Sequence, residues 1–517
     1  MERAFGKDRV CGVIAAGSAR EMISQLRLGL KSTRTLELRL DYLQSAKERD
    51  AFLGWLRRQR LSATLIATCR SRQGGGQFRG SKKAQLDVLA QAVLVGCRWC
   101  DLEIEVAKHY SPAELQAALA PARLMLSHHD FLKTPRNLPD LARRLFRAGG
   151  QIAKIAGYCQ SLADSVRICE IARGHRDVVA IPMGEAGLAG RILALRAGSA
   201  LAYAAVEQAT APGQLSLEAM QQLYRAGQIT KRTRVYGVIG EPIGHSLSPV
   251  LHNTAFHARK YDAVFVPFLV RDLRDFLRSI EALGIAGFAI TIPHKEKILG
   301  YLDECDPLAE RIGAVNTVVV RGGGHLYGYN TDYVGVLRSL EHRMQLAGSR
   351  ILLVGAGGAA RAAAFALVHA GAVVCLTARR PERARALARA AGAHIVAKSD
   401  LRREFFDAIV NCTPVGMHPR GGSPLASADL NCRLVMDMVY RPRTTELLRI
   451  ARRRGIETVS GVEMFLAQGF AQYEIWTGER APEAAVRRAV VAVLEREEKS
   501  MGRGESGRAK LGRKRTR

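Results

Sequence analysis

Short apolar runs alternate with amphipathic stretches through the first half of the chain. Runs rich in Val, Ile, Leu and Ala predict strands over 10–15, 35–42, 63–69, 99–105, 123–127, 151–156, 177–182 and 200–206. Between them, apolar positions at helical spacing predict helices, among them 84–95, 112–120 and 138–148. Eight strand–helix repeats within roughly 220 residues fit a (β/α)8 barrel. The run 35–42 is not purely apolar. Thr35-Leu-Glu-Leu-Arg-Leu-Asp41 alternates, so Glu37, Arg39 and Asp41 share one face. An edge strand would carry such charges in solvent. A barrel has no edges, so here they must enter its mouth or pair with one another.

The pattern breaks at 221–234, a polar stretch with Gly227 and four cations. We expect residues 1–225 to form the barrel and 226–233 a linker that tethers without a large interface. A second α/β region follows, with one part over 234–345 and another over 346–459. Residues 460–494 are helical and are expected to return to complete the first part. The end, 495–517, alternates Gly, Ser, Lys and Arg with few apolar residues, which predicts a disordered basic tail.

Composition narrows the class. Of 517 residues 48% are hydrophobic and only 6% aromatic, a mix suited to α/β packing. The net charge of +29 raises nucleic acid as a partner. The arginines are scattered along helices such as 381–391 instead of forming a stripe, so a general Arg bias accounts for most of them. No run of about 20 apolar residues predicts a membrane span. Residues 10–19 resemble a short signal-peptide core, but Gly12 and Gly17 fit a first strand and its turn better. Ten cysteines include one Cys97-x-x-Cys100 with no second pair at metal spacing. We read all ten as reduced thiols of a cytoplasmic protein with no metal site.

Several ionisable residues fall in or just after different barrel strands: Arg70, Glu103, His129 and Lys154. One alone is usually a satisfied core group; four that converge at one barrel mouth point to chemistry. In the second region, 351–354 reads as a buried strand. Gly355-Ala-Gly357-Gly358-Ala359 then opens a helix, which suits a pyrophosphate on a helix N-terminus. After the next strand, where a carboxylate would hold the ribose of NAD, the chain carries Arg379, Arg380 and Arg383. That predicts NADP, whose extra phosphate takes charge-assisted hydrogen bonds. The alternative is an ordinary basic helix start, although cations there oppose the helix dipole.

Two ordered sets of motifs carry a resemblance. Glu37-Leu-Arg39-Leu-Asp41, Thr68-Cys-Arg70, Asp101-Leu-Glu103, Ser127-His-His129-Asp-Phe, Lys154-Ile-Ala and Ala211-Pro-Gly-Gln214 resemble type I 3-dehydroquinate dehydratase. Gly244-His-Ser246-Leu-Ser248-Pro, Thr291-Ile-Pro-His-Lys295, Gly313-Ala-Val-Asn316-Thr, Asn330-Thr-Asp332, Asn411-Cys-Thr-Pro and Ala467-Gln468-Gly resemble shikimate dehydrogenase. The product of the first activity, 3-dehydroshikimate, is the substrate of the second.

The resemblance implies roles. Lys154 forms an imine with 3-dehydroquinate, near Arg70 and Arg191, which would favour its neutral amine. His129 is base and then acid, and Glu103 orients it. Arg191 binds the substrate carboxylate, Glu37, Arg39 and Arg70 the hydroxyls, and Thr210 and Gln214 belong to a closing loop. In the second half Ser246 and Ser248 hold a carboxylate, and Thr291, Asn316 and Gln468 hold hydroxyls. Lys295 and Asp332 transfer the proton, and Tyr440 lines the pocket that yields shikimate. The chain departs from the pattern at Thr210 and Gly190, where Ser is usual, and at Ala289 and Ala378, where Asn is. A rival reading of the second half is an NAD-linked quinate/shikimate dehydrogenase. A remote one is a nucleic-acid binder on a degenerate scaffold.

Overall fold

The computed structural model describes residues 5–6, 8–244, 246–419 and 421–512, with backbone alone over 500–512. Eight parallel strands open the chain: β1 Val10–Ile14, β2 Thr35–Arg39, β3 Thr64–Thr68, β4 Trp99–Glu103, β5 Arg123–Asp130, β6 Ile152–Tyr158, β7 Val178–Met183 and β8 Ala202–Ala205. They are ordered β7-β6-β5-β4-β3-β2-β1-β8, a nearly closed barrel. Helices alternate with them, and Ser18, Ser45, Ser81, Ser111 and Ser161 each cap a helix start through the side chain.

Strand alternation sorts the side chains into two layers. Leu36, Leu38, Leu65, Ala67, Leu102, Leu126 and Ile155 face outward into a core shared with the helices. Val13, Ile66, Met125, Ile152, Val179 and Tyr203 form a second, inner cluster. The polar members of the inner set, Glu37, Asp101, Glu103, Ser127 and Lys154, are all buried.

The described chain divides into two compact units, Met1–Gly244 with Asp262–Ile285, and His245–Tyr261 with Ala286–Arg517. In the first unit β9 (Arg234–Gly240) and β10 (Ala263–Leu269) pair in parallel. The stretch 226–233 was expected to be a bare tether, and the structure differs. Ala226 and Ile229 are buried, and Arg9 Nη1 donates to Ile229 O at 3.0 Å. The barrel also packs on later residues of its own unit. Asp275 Oδ2 accepts from Leu162 N at 2.9 Å, Arg196 Nε donates to Thr233 O at 2.9 Å, and Arg173 donates to Ala282 O. The four cations suggested solvent, but the apolar residues between them set the packing.

In the second unit β11 (Ile285–Ile290, from Ala286 onward) and β13 (Thr317–Val320) are antiparallel, as are β13 and β14 (Leu326–Tyr329); β12 (Glu304–Cys305) runs parallel to β14. A further six-stranded parallel sheet holds β15 (Arg350–Val354), β16 (Val373–Thr377), β17 (His394–Ile395), β18 (Phe406–Asn411), β19 (Cys432–Asp437) and β20 (Glu457–Val459). Its order, β17-β16-β15-β18-β19-β20, is that of a dinucleotide-binding fold. The last helix runs Glu483–Gly512, through residues expected to be disordered from 495 onward; 513–517 lie outside the described residues. Arg441 pairs with Glu497, and Arg443 with Glu495 and Glu498, which ties its middle down. All ten cysteines are free, and eight are buried. Among the described residues no helix is long and apolar enough to cross a membrane.

Candidate active sites

At the barrel mouth one pocket is lined by Glu37, Arg39, Arg70, His129, Lys154, Arg191, Thr210 and Gln214, together with Tyr203 and Phe131. β6 carries Lys154 inward, 3% exposed. Its Nζ donates to Glu37 Oε1 at 3.0 Å and Asp101 Oδ2 at 2.7 Å, and lies 3.8 Å from the centre of the Tyr203 ring. Two cations were expected around this amine; its ion-pair partners are two carboxylates.

Asp101 stood in the Asp101-Leu-Glu103 motif but was given no role, although it has the strand parity of Glu103. Besides Lys154 it accepts from Arg70 Nη2 at 2.9 Å and Ser127 Oγ at 2.6 Å. Burial opposes its charge, but Arg70 and Lys154 outweigh burial and hold the carboxyl well below the usual carboxylate range. Arg70 Nη1 lies 2.8 Å from His129 Nδ1. Burial first, then Arg70 and Lys154, hold the His129 imidazole well below the ordinary histidine value, so it is neutral. His128 points elsewhere, to Glu105 at 3.1 Å.

Glu103 is not brought to His129. It accepts from Ser71 N at 3.2 Å, Ser71 Oγ at 2.6 Å and Gln85 Nε2 at 2.5 Å. A Cβ on Gly74 would fall 1.9 Å from its Oε1, so the loop 71–76 closes directly over it. Arg39 makes a two-pronged pair with Asp41 at 3.0 and 2.8 Å, and so the alternating strand resolves by pairing as well as by facing the mouth.

Arg191 stands apart. It is 4% exposed and donates to Pro212 O at 2.7 Å. Its Nε lacks a partner, and among the described residues it has no carboxylate. Burial without a counter-charge pulls it down to about 10. A buried guanidinium in this state favours an incoming anion. The loop beyond Pro212 is shaped around it. Gly213 has φ +70, and a Cβ there would meet Gly184 O at 2.4 Å. Gln214 Oε1 accepts from Thr210 N at 2.8 Å and Oγ at 3.1 Å.

A second constellation lies in the second unit. Lys295 Nζ meets Asp332 Oδ2 at 2.5 Å, and Asn316 Nδ2 donates to Asp332 Oδ1 at 2.9 Å. Val315 N donates to Lys295 O and Ile290 N to Asn316 O, both at 2.8 Å, which draws Thr291 to the same place. Ser246 Oγ accepts from Ser248 N at 3.2 Å, at the start of helix Ser248–Arg259. Gln468 lies over the first turn of helix Asp332–Glu341, where a Cβ on Gly335 would sit 3.1 Å from its own. Gln472, one turn on, was not singled out. It donates to Thr317 Oγ at 3.0 Å and accepts from His252 Nε2 at 3.1 Å, bracing Asn316 from behind. Tyr440 stacks on Phe465 with centroids 4.9 Å apart.

The nucleotide turn fits its expected ligand. Gly355, after β15, has φ +122, a conformation open to glycine, and a Cβ there would meet Thr413 Cγ at 3.0 Å. Gly357 starts helix Gly358–His369 without any side-chain cap. A Cβ on Gly357 or Gly358 would meet nothing within 4 Å, which leaves the first-turn N–H groups open to a phosphate. Ala359 follows them. Arg379, Arg380 and Arg383 are exposed beyond β16, and none forms an ion pair among the described residues.

Three regions of the chain match known protein families. Residues 10–231 match the type I 3-dehydroquinase family, 238–318 the shikimate dehydrogenase substrate binding domain and 461–491 the shikimate 5'-dehydrogenase C-terminal domain. The chain is 34% identical, over 92% of its length and 82% of the relative's, to the chloroplastic bifunctional 3-dehydroquinate dehydratase/shikimate dehydrogenase of Arabidopsis thaliana. The chain belongs to the bifunctional 3-dehydroquinate dehydratase/shikimate dehydrogenase family. Within that family's second half it is 44% identical to the NADP-type shikimate dehydrogenase of Bacillus anthracis, over 49% of this chain and 98% of the relative. The shikimate dehydrogenase of Thermus thermophilus, solved with NADP(H) and shikimate, is 35% identical over 50% of this chain and 98% of its own, with a TM-score of 0.47. Lys154 and its neighbours fall within the first matched region, residues 10–231, and Lys295 within the second, 238–318.

Proposed function

We propose that this chain dehydrates 3-dehydroquinate through a Lys154 imine and reduces the resulting 3-dehydroshikimate to shikimate with NADPH. The observation that carries the first step is a buried lysine sharing a pocket with a neutral imidazole and a guanidinium that has no carboxylate partner among the described residues. Arg191 takes the substrate carboxylate, and its missing counter-charge is supplied by the substrate. Glu37, Arg39 and Arg70 take ring hydroxyls. Lys154 attacks the ketone, and Glu37 stabilises the iminium cation that follows. His129, kept neutral by its surroundings, accepts the adjacent proton and returns it to the leaving hydroxyl. Thr210 and Gln214 close the loop over the pocket. Glu103, held by Ser71 and Gln85, shapes the loop 71–76 instead of orienting the imidazole.

For the second step Ser246 and Ser248 take the carboxylate, and Thr291, Asn316 and Gln468 the hydroxyls, with Tyr440 at the wall. Lys295 donates to the carbonyl oxygen as it becomes an alkoxide, and Asp332, fixed by Asn316, holds the ammonium in place. Gly355, Gly357, Gly358 and Ala359 would hold the NADPH pyrophosphate and Arg379, Arg380 and Arg383 its extra phosphate; when bound, NADPH supplies the hydride. We place the boundary between the activities near 226–233 and the protein in the cytoplasm, on its free cysteines. The test is direct: the full chain, given 3-dehydroquinate and NADPH, forms shikimate. A folded chain that consumes neither would refute the reading.

A further inference from the structure

Behind the lining of the dehydration pocket, bonded to two of its residues, stands a charged side chain that has no part in the proposed steps. Asp101 is 2% exposed and both its oxygens are engaged. Oδ2 takes Lys154 Nζ at 2.7 Å and Arg70 Nη2 at 2.9 Å; Oδ1 takes the Ser127 hydroxyl at 2.6 Å. Arg70 in turn sets Nη1 2.8 Å from His129 Nδ1 and 3.3 Å from Ser127 Oγ. One carboxylate thus joins the nucleophile to the base through a single guanidinium. Glu37 also holds Lys154, but its other partner is the Thr68 hydroxyl at 2.9 Å, and it meets neither Arg70 nor His129. Glu103, on the same strand, is turned to the loop 71–76. No other described carboxylate links the two reacting groups.

We propose that Asp101 is the positioning residue that sets Lys154 and His129 at the separation dehydration needs; this rests on the imine mechanism for Lys154. Charge-assisted hydrogen bonds in a buried pocket are short and stiff, and a chain of them fixes distances that single contacts leave loose. Their effect extends past the first bond. On forming the imine, the neutral amine of Lys154 joins the carbonyl carbon, one proton is taken up, and the ketone oxygen leaves as water. The iminium nitrogen keeps a single N–H. Asp101 Oδ2 stands ready to accept it, and that bond orients the iminium plane so that the adjacent C–H faces His129. Arg70 holds Asp101 charged while the Lys154 amine is neutral, and the iminium restores the second positive charge afterwards.

The test is Asp101→Asn in the full chain, which keeps the shape and removes the charge. Borohydride is added at timed intervals after 3-dehydroquinate, and the Lys154 adduct is counted by mass. We expect the adduct to reach wild-type stoichiometry but form about tenfold more slowly, while kcat falls about 100-fold and KM changes little, the scale of a misplaced reacting group. Reduced stoichiometry at the wild-type rate would mean that Asp101 only supports folding, and the proposal fails. Wild-type rate with wild-type stoichiometry overturns it too. If Asp101→Asn does not fold, Ser127→Ala frees only Oδ1; slower trapping supports the proposal and an unchanged rate overturns it. Absence of any adduct in the wild type removes the imine mechanism itself, which separates the two failures.

Discussion

Single residues carry most of the chemistry, and their surroundings set measurable outcomes. Arg379 and Arg380 are exposed and, among the described residues, form no ion pair. Replacing both by Ala should cost about 2–5 kcal/mol of NADPH binding and far less of NADH, because only NADPH has the extra phosphate. Steady-state KM values for both cofactors check this, and equal losses would mean that the arginines serve the fold. His252 offers a pH readout. Burial, against a smaller opposing hydrogen bond with Gln472, lowers it to about 3. The unfolded chain binds that proton near 6.5, so between these values the unfolded state holds more protons than the folded one. Stability should therefore fall as pH drops from about 6.5 toward 3, and His252→Gln should flatten that slope in melts against pH. A slope that His252→Gln leaves intact would assign the titration elsewhere.

Elements show what the sequence could and could not disclose. All eight barrel strands were legible, because each is a short run between turn residues that is either apolar or, at 35–42, strictly alternating. The two-residue strands β12 and β17 have no periodicity to read. The inward set was legible by strand parity, yet Asp101 was passed over in favour of Glu103, two residues on. Their difference lies in partners elsewhere in the chain, Lys154 and Arg70 for one, Ser71 and Gln85 for the other, and no local pattern reports these. The continuation of the helix Glu483–Gly512 past residue 494 was missed for a related reason. Glu495-Arg-Glu-Glu-Lys favours a helix, but its anchors Arg441 and Arg443 lie about 50 residues away. The nucleotide turn, by contrast, is local and was read directly. Gly355→Ala should be costly there, by about 1–3 kcal/mol for a strained φ, with a raised NADPH KM and a lowered melting temperature. Unchanged values in both would show that the turn relaxes around the new methyl group.

At the scale of the whole molecule the two constellations share no residue. Lys154→Ala should abolish dehydration and spare reduction of added 3-dehydroshikimate, and Lys295→Ala should do the reverse, each by at least about 1000-fold. A folded variant that lost both activities would show the sites to be coupled. Structural independence is a different matter. The barrel borrows Asp275 to cap helix Leu162–Glu170 and donates to Thr233 and Ala282. A fragment ending near Gly227 should therefore keep its chemistry but melt below the intact chain, as calorimetry would show; an equal melting temperature would mean that these contacts add nothing.

The buried cysteines turn this into something that can be timed. Cys11, Cys69, Cys97, Cys100, Cys159 and Cys169 are shut inside the barrel, and Cys375 and Cys412 inside the dinucleotide fold. Burial pushes these thiols up, so an alkylating reagent in native buffer meets neither access nor thiolate. Cys305 and Cys432, only partly covered, should label first. Each later tag then records an excursion in which one region opened. Six clocks run in one half and two in the other, so peptide mass mapping would rank their breathing rates without any engineered probe.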